Sequence, residues 1–132
     1  MKIFFVLFSM FIILSSCSSD DNTTTSGNLI GTWIGVSSTF NGINSGVPDN
    51  NIVKFSANNR VEFVYEGFGN NGEDISELGN WSKIGNTLTI EWDYGQGLGI
   101  YVLTITELSQ TTLSWKTTIQ NEGELRENFT KQ

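Results

Sequence analysis

The chain has no histidine, one cysteine and only seven basic residues among 132. Each shortage removes a class of function. Without imidazole no Ser-His pair can form, and the commonest catalytic and metal-binding side chain is missing. A lone cysteine, Cys17, forbids a disulfide within the chain. Seven basic against fourteen acidic residues leave a formal charge of −7, or −8 once Lys2 is removed with an N-terminal signal. That balance opposes nucleic acid and a basic, membrane-hugging surface, because both need cationic patches. Long apolar runs are also scarce. The one at 3–14, broken by Ser9, spans twelve residues, about 18 Å as a helix against a hydrocarbon core of ~30 Å.

What that segment does offer is a leader. Lys2, the apolar run and the small residues Leu14-Ser15-Ser16-Cys17 follow the order of a secretory signal. Residues 1–16 are read as a signal peptide. Leu-Ser-Ser-Cys resembles a bacterial lipobox, which implies that Cys17 becomes the first mature residue and carries acyl chains. Several chains anchor stably where one does so only marginally. Residues 18–28, SSDDNTTTSGN, lack large apolar side chains and cannot offset their ordering entropy by burial. With Cys17 they form a lipidated, flexible tether over 17–28. Its SSDD start resembles the acidic export signal of Gram-negative lipoproteins displayed outside the outer membrane. The expected location is the cell envelope, lipid-anchored at the outer membrane and facing outward.

Residues 29–132 make one small domain whose pattern is alternation rather than helical periodicity. Eight strands are predicted, at 29–40, 51–56, 60–67, 77–83, 87–94, 99–108, 111–119 and 123–131. Asn41-Gly42, Asn58-Asn59, Gly85-Asn86 and Glu122-Gly123 supply turns between them. Leu88, Ile90 and Trp92 alternate with Thr89 and Glu91, so one face is dry and the other wet. The segment at 99–108 is apolar on both faces, which suggests a covered or contacting outer surface. Short connections favour an antiparallel up-and-down barrel over a two-sheet sandwich, which needs longer crossovers. The expected class is an all-β, eight-stranded meander barrel, with a monomer favoured.

Gly31-Thr32-Trp33 resembles the G-x-W of the lipocalin superfamily. Val53-Lys54-Phe55 with Asn58-Asn59, Gly79-Asn80-Trp81, the 85–90 stretch GNTLTI, Tyr101-Val102-Leu103 and Thr112-Leu113 follow in order. Together they are similar to small bacterial lipocalin-like lipoproteins. The resemblance implies a barrel closed at one end by Gly31 and Trp33, with an arginine of the last strand packed across the tryptophan. Arg126 is the candidate. Leu125 and Phe129, however, define an inner face that leaves Arg126 outside unless a bulge or the rim intervenes.

Phe63, Tyr65, Trp92, Tyr101 and Trp115 either fill the core or line a cup for a small apolar ligand. The acidic groups Glu73-Asp74-Glu77 and Glu122, Glu124 and Glu127 read as solvated loops and faces. Glu127 is the exception, since it falls between Leu125 and Phe129 on the inner face and needs a partner or a raised pKa. The glycines of 95–99 read as a hairpin loop rather than a phosphate cradle. No catalytic residue, metal or cofactor is expected, and the chain is not read as an enzyme. Two functions follow: a lipid-anchored binder of a small apolar or amphipathic molecule, or a filled barrel that contacts protein or glycan through loops 41–50 and 67–77.

Overall fold

The computed structural model describes residues 28–94 and 99–132. The predicted signal peptide, Cys17 and the predicted tether as far as residue 27 lie outside the described residues, as do positions 95–98. The described chain holds no helix and nine strands: β1 Gly31–Phe40, β2 Ile43–Gly46, β3 Ile52–Phe55, β4 Arg60–Tyr65, β5 Ile75–Ile84, β6 Thr87–Trp92, β7 Ile100–Leu108, β8 Thr112–Ile119 and β9 Gly123–Lys131. Every pairing is antiparallel, and β1–β9 pairing closes the sheet into a barrel.

Nine strands fill eight places. β2 pairs with the end of β1 at Ser38, Thr39 and Phe40, whereas β3 pairs with its start, from Gly31 to Ile34. The two short strands therefore share one edge of β1, separated by an excursion at 47–51. Asn41 and Gly42 both have positive φ, 50° and 80°, the conformation that lets Asn-Gly close a two-residue hairpin. Opposite Gly35 the excursion turns in. A Cβ on Gly35 would stand 3.0 Å from Pro48 Cδ and 3.3 Å from Asn51 Cα, so the glycine gives Pro48 its seat. Sequence alternation has no purchase on INSG, whose four residues are all exposed.

The predicted alternation governs the interior. In β6 Leu88, Ile90 and Trp92 are buried, in one core with Val61 and Phe63 of β4, Leu103 and Ile105 of β7 and Leu113 of β8. Ile100 and Val102, the outer face of the doubly apolar segment, stay more than half exposed.

One end of the barrel is plugged. Trp33 has no exposed surface, and its indole Nε1 donates to the Leu29 carbonyl at 2.7 Å. Lys131 Nζ stands 5.0 Å from the ring centroid, a cation–π contact. Gly31 makes room for that lysine: its φ is +135°, and a Cβ there would meet Lys131 Cε at 2.6 Å. The G-x-W pattern thus has a local cause. Glycine admits the lysine stem, and two residues on, the same face delivers the plug. Gly31→Ala is expected to cost about 1–2 kcal/mol through the strained φ and the displaced lysine. Urea unfolding of the variant reads that cost.

Candidate functional site

At the end away from Trp33 the barrel encloses a cavity of about 520 Å³ that reaches solvent. Its wall is the inner face of the later strands. Phe63 packs edge-on to Trp92, ring centroids 5.0 Å apart, and Tyr101 and Tyr65 flank them. Trp115 lies behind this wall, 1% exposed, stacked on Phe63 at 6.0 Å and tilted against Phe129 at 4.6 Å. Phe40, Ile119 and Leu125 form an apolar rim. The remaining wall comes from β1, β2 and the 47–51 excursion, where Ser38 Oγ and Ser45 Oγ share a 2.6 Å hydrogen bond and Asp49 and Asn50 follow.

Three carboxylates face this space: Asp49, Glu77 and Glu127. Glu127 is the deepest, 5% exposed, level in the ladder with Ser38 on β1 and Trp115 on β8. Its Oε2 accepts a 2.6 Å hydrogen bond from Trp115 Nε1. Burial pushes the Glu127 carboxyl above the ordinary carboxylate range; the indole donor opposes that rise and the Asp49 charge adds to it. Glu77 accepts from the Tyr65 hydroxyl at 2.8 Å and from the Tyr94 hydroxyl at 3.0 Å. Burial, then the bond to Glu77, hold the Tyr65 hydroxyl protonated far above its usual range. The Tyr101 hydroxyl is raised by burial first and by the Glu127 charge second.

The lipocalin-like domain family matches residues 29–115, from the residue beneath the plug to the tryptophan behind the cavity wall. The chain belongs to this family. A lipocalin-like protein from Bacteroides uniformis has the same fold, with a TM-score of 0.62 at 18% identity over 80% of this chain and all of that one. An uncharacterized protein from Bacteroides eggerthii aligns with a TM-score of 0.60 at 11% identity and the same coverage. At these identities the likeness is one of fold. No curated protein matches the chain.

In this lipocalin-like domain the expected residues divide clearly. Phe63, Tyr65, Trp92 and Tyr101 line the cavity, and Trp115 supports it from behind. Gly31 and Trp33 close the opposite end. Arg126 does not. It pairs in register with Thr39 near the open end, points outward and bonds Glu124. The inner face of β9 runs Leu125, Glu127, Phe129, Lys131, so Lys131, level with Trp33, takes the closing role. Glu77 departs from the solvated-loop reading: β5 starts at Ile75, and the carboxylate faces in toward the tyrosines. Glu124 conforms, pairing with Lys116 and Arg126 on the outside. Among the described residues no cluster of His, Cys, Asp and Glu is arranged to hold a metal ion.

The raised Glu127 pKa makes a stability prediction. The folded state keeps this proton more tightly than the unfolded chain, so stability falls as pH rises from the ordinary carboxyl range through the raised value. Glu127→Gln keeps an acceptor for Trp115 and removes the buried charge. It is expected to flatten that slope and to stabilise the protein at pH 7 by on the order of 1–2 kcal/mol. Urea unfolding across pH 4 to 8, an interval of about four units centred above the ordinary carboxyl pKa, checks both; an unchanged slope would place the titration elsewhere.

Proposed function

We propose that this lipocalin-like protein is tethered to the cell envelope through acylated Cys17 and binds a small apolar or amphipathic molecule in its open cavity. The observation that carries the binding half is the cavity: about 520 Å³ open to solvent, above the ~300 Å³ at which small-molecule pockets begin. The anchoring half rests on the lipobox-like LSSC and the polar stretch after it. A barrel filled by its aromatics, touching protein or glycan through its loops, leaves no use for the space beside Trp92 and Tyr101. The reading is one of binding without turnover, in keeping with a chain that has no histidine to pair with its hydroxyls.

Native mass spectrometry of the protein taken from its own host tests the binding half. A reproducible extra mass, lost on denaturation, is expected. Denatured and native masses that agree, in a protein that also fails to bind neutral apolar probes, would contradict the reading. For the anchor, palmitate labelling and membrane fractionation should both be lost in Cys17→Ser; label retained in that variant would refute acylation at this residue.

A further inference from the structure

The charges around the cavity are one-sided. Asp49, Glu77 and Glu127 face it, and among the described residues no lysine or arginine lines it. The cations of the described chain lie elsewhere. Lys54 pairs with Glu62, Arg60 with Asp93, and Lys116 and Arg126 with Glu124. Lys131 covers Trp33 and bonds the Asn28 carbonyl, while Lys83 lies beyond Trp81 toward the plugged end of β5. Glu127 is 5% exposed, and Trp115 is its one hydrogen-bond donor among the described residues. A buried carboxylate with one donor and no counter-ion is costly to keep. Trp92, Tyr101 and Phe63 line the same space, aromatic rings of the kind that attract a desolvated cation.

Depth sets the orientation. Along β9 Glu127 lies one inward step below Leu125, which shares the rim with Phe40 and Ile119. A molecule entering from solvent therefore meets an apolar collar first and the carboxylate beneath it. We propose that the cavity takes an amphipathic cation, an amine or quaternary ammonium held head-down at Glu127 among the aromatic rings, with its apolar part between Phe40, Ile119 and Leu125. This rests on the reading of the cavity as a binding site and names the class of molecule it selects. A fatty acid is the wrong occupant, because its carboxylate would join three others with no cation to offset them.

Three ligands with one tail separate the possibilities: decylamine, decanol and decanoate, each titrated below its critical micelle concentration and followed by the Trp115 indole NMR signal. The amine is expected to bind at least tenfold more tightly than the alcohol, and decanoate more weakly than either. Glu127→Gln should bring the amine down to the affinity of the alcohol and leave the alcohol within about threefold. Glu91→Gln removes the same charge from the exposed outer face of β6 and should leave the amine preference intact. Equal binding of amine and alcohol to the wild type, or a preference unmoved by Glu127→Gln, overturns the cation inference while leaving the cavity a binding site. If none of the three ligands binds, the binding-site reading falls and this inference with it.

Discussion

Trp33→Ala is expected to lower the unfolding free energy by about 3–5 kcal/mol, the range for truncating a fully buried aromatic. The residue has no exposed surface, so its whole side chain counts as buried area. Its loss also has local consequences. The Leu29 carbonyl loses the indole donor at 2.7 Å, and Lys131 loses the ring over which it lies. Leu29, 3% exposed, then has no indole tying its carbonyl to the plugged end. For a domain of this size total stability is on the order of 5–15 kcal/mol, so the variant should be largely unfolded under mild denaturant. Trp81→Ala is the comparison. Trp81 sits nearby, edge-on to Phe55 at 5.6 Å, but is only half-buried. Its cost should be clearly smaller. Equal losses in the two variants would mean that Trp33 is ordinary core rather than the closure of the barrel.

The second large effect concerns the open end. Leu125→Trp is expected to weaken binding of a neutral apolar fluorophore, N-phenyl-1-naphthylamine, at least tenfold while leaving Tm within a few degrees. Leu125 faces the cavity at its rim and is only partly buried. An indole there can extend into empty space instead of pressing on packed atoms, which spares the strain that larger side chains impose in a filled core. The same change deep in the wall, where Phe63, Trp92 and Trp115 are already in ring contact, would be destabilising. Blocking the mouth without loss of stability therefore separates a cavity effect from a folding effect. Tight probe binding retained in Leu125→Trp would place the probe on the outer surface, where Ile100 and Val102 offer an exposed apolar strip.

The barrel itself was legible because closure leaves alternation intact. Seven of the predicted segments map onto β3 to β9 with shifts of a few residues at their ends, and the first maps onto β1. β2 escaped because four residues with one apolar side chain carry no period, although Asn41-Gly42 announces a hairpin. The closing cation was within reach as well. Stepping by two from Leu125 through Glu127 and Phe129 arrives at Lys131, level with Trp33; the family's arginine drew attention to Arg126 instead. The cavity was not legible. Whether five aromatics fill a barrel or line it depends on how the sheet curves and where each ring turns. Trp115 turns sideways to bond Glu127 and lies behind Phe63, leaving the space in front open. Glu77 is the first residue of the segment predicted at 77–83 and borders the Gly/Asn loop; that β5 begins two residues earlier, at Ile75, and turns this carboxylate inward has no signal in the alternation.

The four tryptophans provide the most direct test of the central claim, that the end opposite the plug is the binding end. Each indole N–H gives its own signal in a 15N–1H spectrum, and the four sit in different places. Trp92 lines the cavity and Trp115 backs it; Trp33 and Trp81 belong to the closed end. Titration with N-phenyl-1-naphthylamine should shift the Trp92 and Trp115 signals saturably, to one equivalent, and leave Trp33 in place. A titration that moved Trp33 first, or moved none of the four while the probe bound, would contradict the account.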